Sequence, residues 1–470
     1  MEFDYIIIGS GPAGCILSNE LSNSGFKIAL VDRAQKINSS SINDFLCPYI
    51  NYCPNYYTPV YSNTLGGNSE LWHSKVYLIS EEETKRYNWN IDYNELLKFS
   101  NLLTKKFKIN DEELITKSET INSFSKYRYS LRASFRNVFK FFNIDQNENI
   151  SLFKGYSPTE ILFNKSKAES LIISDPERNE QKINLKKAII FCAGGLGNPH
   201  LLLNLISNKS NLLGKYLSDH PHVNIAKVNS KNFEKFKKIA KPNILKNFGL
   251  ISNEIALVNS KENIFAGSQL DYKTDPIRKL RRIFIRFKNI NLRKFLSLFG
   301  FILQKFNGLY YKLGSLIGKY NKFSFEYFFS QTPNDGNYVY LSEKLDEFGL
   351  KKINVKWDIN KEDLINYNEL ISHNIGINGC ILKTEENIKF EKNFYKNGLS
   401  GLHPSCTTMI GDNIDNGVVD SDLKLFNHDN IYVCGSSVFP FNGYTNPTWT
   451  IMTLSLRLAE KLKKIYFINE

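Results

Sequence analysis

Cysteine is scarce in this sequence, and its spacing indicates no pairing. Seven cysteines occur among 470 residues, an odd number, and no two of them form a CxxC pair. A disulfide framework and a zinc site are therefore not indicated, and a reducing compartment fits best. We expect no metal centre.

Long apolar runs are also missing. No stretch of about 18 uncharged apolar residues occurs, so no transmembrane helix is predicted. The first strand-like run begins at Phe3, with no basic segment and cleavage site before it, which argues against a secretory signal. We therefore expect a cytoplasmic protein.

Acidic residues are absent from one long segment. Residues 276–325 contain twelve Lys or Arg and no Asp or Glu, and outside them basic and acidic residues nearly balance. Phe, Leu and Ile alternate with the basic residues, a composition that suits an anionic membrane surface at the inner face of the membrane. A solvated basic cap is the alternative. Nucleic acid is not expected, because nothing resembling a base-reading module accompanies the charge.

The first glycines of the chain lie between a strand and a helix. Residues 5–8 read as a strand, 9–14 as the turn GSGPAG, 15–23 as a helix and 27–31 as a second strand, which makes one βαβ unit. In this context GxGxxG predicts a pyrophosphate site at the helix N-terminus. Asp32 can accept hydrogen bonds from both ribose hydroxyls and repels a 2'-phosphate, which favours FAD or NAD over NADP. The candidate cofactor-binding residues of this unit are Gly9, Gly11, Pro12, Ala13, Gly14, Asp32 and Arg33.

Similar features recur later in the chain. Residues 187–192 read as a strand that runs into a glycine-rich turn and a helix over 198–205. Residues 431–434 read as a strand, and a long amphipathic helix over 447–463 follows. Dinucleotide-binding features at both ends of the chain predict one discontinuous domain with another inserted. The predicted fold class is α/β, or α+β for the chain as a whole.

Four ordered motifs lie toward the C-terminal end. Residues 403–411 read HPSCTTMIG, 417–420 read GVVD, 430–440 read NIYVCGSSVFP and 446–448 read NPT. This series resembles the glucose-methanol-choline (GMC) family of flavin oxidoreductases, whose usual forms are HPxGTxRMG, GVVD, NLYVxDxSxFP and NPxxT. The resemblance implies FAD as cofactor, a Rossmann-like FAD-binding domain and a substrate domain built on a mostly antiparallel sheet.

Earlier segments extend the resemblance. LGGNSELW at 65–72 is similar to the family's second glycine-rich flavin loop, in the version of pyranose-oxidase-like and bacterial sugar-associated members. AGGLGNP at 193–199 is similar to AAGxxGSP, and DHP at 219–221 also has a counterpart. The further flavin-binding residues that the resemblance implies are Leu65, Gly66, Gly67, Asn68, Ala193, Gly194, Gly435, Ser436, Asn446, Pro447 and Thr448. The implied FAD-binding parts are 1–85, 151–225 and 401–470, with a cap segment at 86–150 and a substrate domain at 226–400 that contains the basic segment.

The sequence departs from the family pattern at three positions. The motif glycine of HPxGT is Cys406, and the motif aspartate of NLYVxDxSxFP is Gly435. Leu71 stands where pyranose oxidases carry the histidine that bonds covalently to flavin, which predicts a non-covalent FAD. His73, two positions further on, is an alternative attachment site.

Histidine is the candidate base. Oxidation of a CH–OH group by hydride transfer requires a group that takes the hydroxyl proton, and neutral imidazole suits that role. The resemblance implies His403 as the base and Asn446 as its partner. A loop-anchoring histidine and a helix N-cap are the respective alternatives. His220 and His222 are expected to be structural neighbours of the cofactor domain, with metal ligation by the pair as the alternative.

The predicted activity is FAD-dependent oxidation of a CH–OH group on a small-molecule or glycan alcohol. Two alternatives remain open: a flavin-dependent lyase without net redox change, and a non-catalytic FAD-binding protein attached to a membrane complex. The carbohydrate preference rests on the resemblance to sugar-associated members. The sequence leaves the electron acceptor open.

Overall fold

The computed structural model describes residues 1–34, 51–52, 62–72, 74–109, 118–122, 125–133, 137–228, 252–258, 264–271, 323–377, 399–400 and 403–467. The strands, in chain order, are β1 (Glu2–Ile8), β2 (Ile28–Asp32), β3 (Asn51–Tyr52), β4 (Lys75–Val76), β5 (Ser118–Asn122), β6 (Ser125–Arg132), β7 (Ile150–Lys154), β8 (Ser157–Asn164), β9 (Lys167–Ser174), β10 (Glu180–Phe191), β11 (Pro221–Val228), β12 (Ser252–Val258), β13 (Phe265–Asp271), β14 (Phe323–Phe329), β15 (Tyr338–Leu345), β16 (Lys351–Trp357), β17 (Leu399–Ser400) and β18 (Ile431–Val433). The α-helices are α1 (Pro12–Ser22), α2 (Glu81–Arg86), α3 (Tyr93–Lys106), α4 (Val138–Phe141), α5 (Gly194–Leu205), α6 (Lys361–Ile377) and α7 (Thr448–Phe467), and the 3-10 helices are Gly67–Glu70, Ile144–Gln146 and Ser436–Val438.

A parallel sheet forms the centre of the cofactor side, in the order β7, β2, β1, β10, β18. Strands β1, β2 and β18 read as continuous apolar runs because both faces are covered: the last four residues of β1 are all buried. Ile7 pairs with Leu30 on one side and with Ile190 on the other. The first half of β10 pairs instead with β9, antiparallel, and β9 pairs with β8.

Helix α7 packs against α1 and α3, and α1 in turn packs against β1 and β2 of this sheet. The sequence predicts an amphipathic helix over 447–463; the helix begins at Thr448 and continues to Phe467. The indole of Trp449 is fully buried and donates a hydrogen bond to Ser100 Oγ at 2.8 Å. In the part of the chain that the structure describes, no helix is both long enough and apolar enough to cross a membrane.

A second sheet is antiparallel, in the order β17, β11, β14, β13, β12, β6, β4, with β5 also paired to β6. Its strands range from β4 to β17, with β7 to β10 of the first sheet lying between β6 and β11 in the chain, so it is assembled from segments that lie far apart in sequence. The predicted fold class is confirmed: a Rossmann-like domain is joined to a second domain with a mostly antiparallel sheet.

A small third sheet joins the hairpin of β15 and β16 to β3. The hairpin turn contains Asp346, whose Oδ1 accepts the N–H groups of Phe348 (3.0 Å) and Leu350 (2.9 Å). Asp346 Oδ2 lies 2.9 Å from Arg33 Nη2, at the end of β2. This ion pair ties the hairpin to the carboxyl edge of the parallel sheet.

Candidate cofactor and active site

One cleft lies at the carboxyl ends of the parallel strands, where ligands bind in open α/β sheets. It encloses about 1240 Å³, including its open mouth. Most of the sequence-predicted site residues line it. They are Gly9, Gly11, Pro12, Ala13, Asp32, Arg33, Gly67, Asn68, Ala193, Gly194, His403, Gly435, Ser436, Pro447 and Thr448.

The three glycines of the first turn are required for different reasons. Gly9 has φ +103°, and a Cβ there would lie 2.6 Å from the carbonyl oxygen of Cys192. A Cβ on Gly14 would overlap the carbonyl oxygen of Gly9, so Gly14 allows α1 to begin directly against the turn. At Gly11 a Cβ would meet no protein atom within 4 Å and would point into open space. Gly11 is therefore the glycine that leaves room for a ligand.

Asp32 closes the first turn from the end of β2. Its Oδ2 accepts the N–H of Ser10 at 2.6 Å, and its Oδ1 accepts the N–H of Ala34 at 2.7 Å. Burial raises the pKa of this carboxyl above its ordinary value, against the lowering effect of the Ser10 and Ala34 bonds. Each carboxylate oxygen keeps a lone pair that can accept a hydrogen bond from a ribose hydroxyl.

Arg33 is committed to the protein. Besides its ion pair with Asp346, its Nε donates to Ser157 Oγ at 3.1 Å, and its guanidinium lies 4.7 Å from the ring centre of Phe348. His200 also lines the cleft here, and burial lowers the pKa of its ring well below the usual value. Because the guanidinium of Arg33 already binds Asp346 and Ser157, it is a poor receptor for the 2'-phosphate of NADP.

The second glycine-rich loop packs onto the first. The N–H of Gly66 donates to Ser10 Oγ at 3.1 Å, and a Cβ on Gly67 would lie 3.1 Å from Gly11 Cα. Asn137 supports the loop from below, because its Nδ2 donates to the carbonyl of Leu65 at 2.9 Å. Leu65 and Gly66 thus shape the loop and do not line the cleft, whereas Gly67 and Asn68 line it.

The third loop, at the end of β10, connects to the C-terminal motifs through Asn198. Asn198 Oδ1 accepts the N–H of Ala193 at 2.7 Å, and its Nδ2 donates to Ser437 Oγ at 2.9 Å. Gly435 has φ +141°, a conformation that L side chains rarely adopt. The glycine that replaces the motif aspartate therefore fits this backbone.

Three helix N-termini line the same cleft: those of α1, α5 and α7. The N-cap residues of α1 and α5, Gly11 and Ala193, provide no side-chain cap. The first N–H groups of these helices can therefore bind an anionic ligand, and their dipoles favour it. With the open space at Gly11 and the Asp32 carboxylate beside it, the cleft fits a dinucleotide pyrophosphate and its ribose.

His403 lines the cleft on the side of the C-terminal motifs. Its Nε2 lies 3.4 Å from Asn446 Nδ2, and its Nδ1 lies 3.1 Å from His220 Nδ1. Its backbone N–H donates to Asp219 Oδ1 at 3.0 Å. The structure thus brings the two predicted catalytic residues together. Asn446 precedes Pro447, whose carbonyl accepts the first helical N–H of α7 from Ile451.

His220 lies nearer to the predicted catalytic pair, His403 and Asn446, than the sequence suggests. Its Nε2 lies 3.3 Å from the carbonyl oxygen of Asn442, and its ring meets that of His403 edge to face, with centroids 5.0 Å apart. Burial lowers the pKa of His220 to about 4. The sequence signal for this contact is the DHP segment at 219–221, whose aspartate holds the backbone of both histidines.

Cys406, which replaces the motif glycine, keeps a glycine-like backbone. Its φ is +71°, its side chain is 2% exposed, and burial raises the pKa of its thiol to about 12. Its N–H donates to the carbonyl of Ser436 at 3.1 Å. The turn behind His403 is therefore built in the left-handed conformation that a glycine would adopt without strain.

The remaining predictions for this region fall partly outside the described residues. Leu71 is half exposed, and His73 lies outside the described residues. The four described cysteines are all free and buried, and no cluster of three potential metal ligands occurs among the described residues. Tyr156 could have been found from the sequence, because it follows closely after a parallel strand. Sequence reasoning missed it and several other residues that line the cleft. They include Ser62, Asn63, Thr64, Tyr156, Pro158, His200 and Leu201.

Fold and site together define a Rossmann-type flavoprotein with a substrate-side antiparallel sheet. Residues 7–68 match the family described as NAD(P)-binding Rossmann-like domain, and residues 333–455 match the family described as GMC oxidoreductase. A curated relative, 6'''-hydroxyparomomycin C oxidase from Streptomyces lividus, is 29% identical over 132 residues. That match covers 28% of this chain and 23% of the relative's length.

Solved structures share the fold over nearly the whole chain. Formate oxidase from Aspergillus oryzae RIB40 superposes with a TM-score of 0.64 at 13% identity, covering 100% of this chain and 99% of that one. Pyridoxine 4-oxidase from Mesorbium loti gives a TM-score of 0.62 at 12% identity, covering 98% and 99%. An FAD-dependent oxidoreductase from Chaetomium thermophilum gives 0.64 at 14% identity, covering 99% and 100%.

The matched segments and the shared fold make the chain similar to GMC oxidoreductases, most directly over residues 333–455, and its cofactor is FAD.

Proposed function

We propose that the protein oxidises a CH–OH group of a small-molecule or glycan alcohol, with His403 as the base. One observation carries the proposal. His403 lines the cleft that fits the dinucleotide, and its Nε2 lies 3.4 Å from Nδ2 of Asn446, the residue just before Pro447 in the cleft wall. A substrate hydroxyl placed between them can donate its proton to His403 Nε2 and accept a hydrogen bond from Asn446 Nδ2.

In this arrangement the alcohol loses one proton and one hydride. The O–H bond of the substrate breaks as an N–H bond forms at His403 Nε2, and the carbinol carbon loses its hydrogen together with the bonding electron pair. The alcohol is oxidised by two electrons to a carbonyl. FAD, when bound, supplies the acceptor for that hydride. Asn446 orients the substrate oxygen without competing for the proton, because its Nδ2 is a donor only.

We propose a hydroxyl-bearing glycoside or related small alcohol as the substrate class. The relative from Streptomyces lividus is named as an oxidase of 6'''-hydroxyparomomycin C, and the neighbour from Mesorbium loti as an oxidase of pyridoxine. The sequence similarity to sugar-associated family members points the same way.

Anaerobic addition of candidate alcohols to the FAD-loaded protein tests the proposal. The panel contains aminoglycosides, free sugars, polyols and pyridoxine, and flavin absorbance is followed by stopped flow. Bleaching by an alcohol supports the redox reaction, product without bleaching supports a lyase, and neither result supports a non-catalytic FAD-binding protein.

Variants of histidine test the assigned base. His403→Ala should slow bleaching by roughly 10²- to 10⁴-fold, the usual contribution of a positioned acid or base. The matched control is His428→Gln, because His428 lies outside the cleft and bonds the carbonyl of Phe426 through Nδ1 at 2.9 Å. Bleaching of His403→Ala at the wild-type rate would remove His403 from this role.

We also propose that the basic segment 276–325 contacts an anionic membrane surface at the inner face of the membrane. Only residues 323–325 of this segment are described, so the proposal rests on composition. Each basic residue near the lipid contributes about 1 kcal/mol. Co-sedimentation with vesicles of phosphatidylserine at low salt, with neutral vesicles as control, tests it. A protein that stays in the supernatant with both vesicle types ends the membrane interpretation.

A further inference from the structure

We propose that His220 is a positioning residue that fixes the tautomer of His403, and that the carbonyl of Asn442 fixes the tautomer of His220 in turn. The observation is a chain of contacts through two imidazole rings. Asn442 O lies 3.3 Å from His220 Nε2, His220 Nδ1 lies 3.1 Å from His403 Nδ1, and His403 Nε2 lies 3.4 Å from Asn446 Nδ2.

The contact between Asn442 O and His220 Nε2 determines which nitrogen carries the proton in both imidazole rings. A backbone carbonyl accepts hydrogen bonds and donates none, so His220 Nε2 carries the proton and donates it to Asn442 O. In neutral imidazole the other ring nitrogen is then an acceptor. His220 Nδ1 therefore accepts a hydrogen bond from His403, and His403 Nδ1 carries a proton.

The consequence reaches the reacting atom. With its proton on Nδ1, a neutral His403 presents a lone pair at Nε2, the nitrogen that faces Asn446. The opposite tautomer would present an N–H there and would be unable to take the substrate proton. After proton transfer, the imidazolium of His403 still donates from Nδ1 to His220, so neither hydrogen bond of the chain has to be remade.

The loop that carries Asn442 is held firmly against α2. Phe441 stacks on Tyr87 with ring centroids 3.6 Å apart and planes 11° apart. The N–H of Tyr444 donates to Glu83 Oε1 at 3.3 Å, and Glu83 is itself fully buried in the capping box of α2. The carbonyl between these two anchors is therefore preorganised to set the ring of His220.

The surroundings of His220 keep it neutral. Among the described residues, the titratable groups that contact or act on it are His403, His222, whose imidazole disfavours a second positive charge, and Asp219, whose Oδ1 accepts the backbone N–H of His220 at 2.6 Å. Burial has the largest effect and lowers the pKa of His220 to about 4. A doubly protonated His220 would also place an N–H against the N–H of His403.

Nitrogen NMR tests the assignment without substrate, so its result is independent of the proposed alcohol oxidation on which the role of His403 rests. The holoprotein is labelled with ¹⁵N-histidine and measured at about pH 8, where an unperturbed histidine is neutral. Signals of His403 and His220 are assigned by their loss in His403→Gln and His220→Asn. We expect the proton on Nδ1 of His403 and on Nε2 of His220. A proton on Nε2 of His403, or on Nδ1 of His220, overturns the proposal.

Two substitutions at position 220 test the effect on catalysis. His220→Phe keeps the ring shape but removes the acceptor, and should slow flavin reduction by roughly 10- to 100-fold at saturating substrate, since misassigned tautomers cost up to about 10⁴-fold in serine proteases. His220→Asn keeps an acceptor near the position of Nδ1 and should restore the rate to within about fivefold of wild type. Equal rates for His220→Phe and wild type would refute a positioning role. If His220→Phe fails to bind FAD, the NMR measurement on the wild-type holoprotein decides.

Discussion

Gly11 and Gly14 belong to one turn, but Gly11 leaves room for a ligand whereas Gly14 allows the backbone to pack closely. Gly11 has φ −67° and ψ −173°, an extended conformation open to any residue, and its added Cβ would meet no protein atom. Gly11→Ala should therefore fold normally, and a gain of about 0.4–1 kcal/mol in the free energy of unfolding is expected from the stiffer unfolded chain. Gly14→Ala would drive a methyl group into the carbonyl of Gly9. It should destabilise the apoprotein by about 3 kcal/mol or more.

The two variants should also differ in FAD affinity. The methyl group of Gly11→Ala would occupy the space at the N-terminus of α1 where the pyrophosphate is expected. Loss of one or two hydrogen bonds from backbone N–H groups to a charged oxygen costs about 1.5–3 kcal/mol each. An increase in Kd of roughly 100-fold follows, since 1.4 kcal/mol is a factor of about ten.

Two measurements separate these effects. Thermal unfolding of the apoprotein reports folding, and titration of FAD by flavin fluorescence reports affinity. Saturating FAD at about 100 times the wild-type Kd should stabilise wild type by about 2.7 kcal/mol and Gly11→Ala by about 0.4 kcal/mol. Wild-type FAD affinity in Gly11→Ala, or an apoprotein destabilised as much as Gly14→Ala, would refute this interpretation of the cleft.

Two further predictions concern stability. Cys406→Gly should cost about 1–2 kcal/mol less than Cys434→Gly, because both thiols are buried but only Cys406 has a positive φ, whose strain glycine removes; equal losses in urea unfolding would contradict the strain. Acidification from about pH 6.5 to pH 4 should lower the free energy of unfolding by about 3 kcal/mol through His220. Its pKa is lowered to about 4 in the folded protein, so the unfolded chain takes up the proton first. Urea unfolding across this range should give a flatter profile for His220→Asn than for wild type, and an equally steep one would exclude this contribution.

The cofactor site was largely predictable because its parts are local in sequence. Each glycine-rich turn directly follows a strand, and parallel strands end at one edge of their sheet, so Gly9, Ala193 and Gly435 meet there. The fold class and FAD as cofactor are confirmed, and the resemblance to GMC oxidoreductases is supported by the match over residues 333–455. The pairing of His403 with Asn446 came from family resemblance, since neither spacing nor periodicity brings residues 43 positions apart together. Their catalytic roles and the domain bounds remain predictions.

Other contacts were beyond sequence reasoning because they depend on the packing of distant segments. Arg33 and Asp346 form an ion pair between the end of β2 and the turn of β15 and β16. Nothing in the sequence around either residue indicates the other as its partner. The contact of His220 with His403 joins residues 183 positions apart. The left-handed backbone of Cys406 was equally hidden, because cysteine seldom adopts a positive φ and only the motif comparison hinted at it.

The charge of the protein and the chemistry of its cleft have separate origins. Among the described residues that line the cleft, Asp32 is the only acidic residue and Arg33 the only Lys or Arg, and Arg33 is paired with Asp346. The attraction for an anionic cofactor therefore comes from helix N-termini and backbone N–H groups, which act at short range. The net charge of +13 resides almost entirely in residues 276–325. Salt should therefore weaken any binding to anionic lipid steeply while changing FAD affinity little, because screening acts most strongly on exposed side-chain charges.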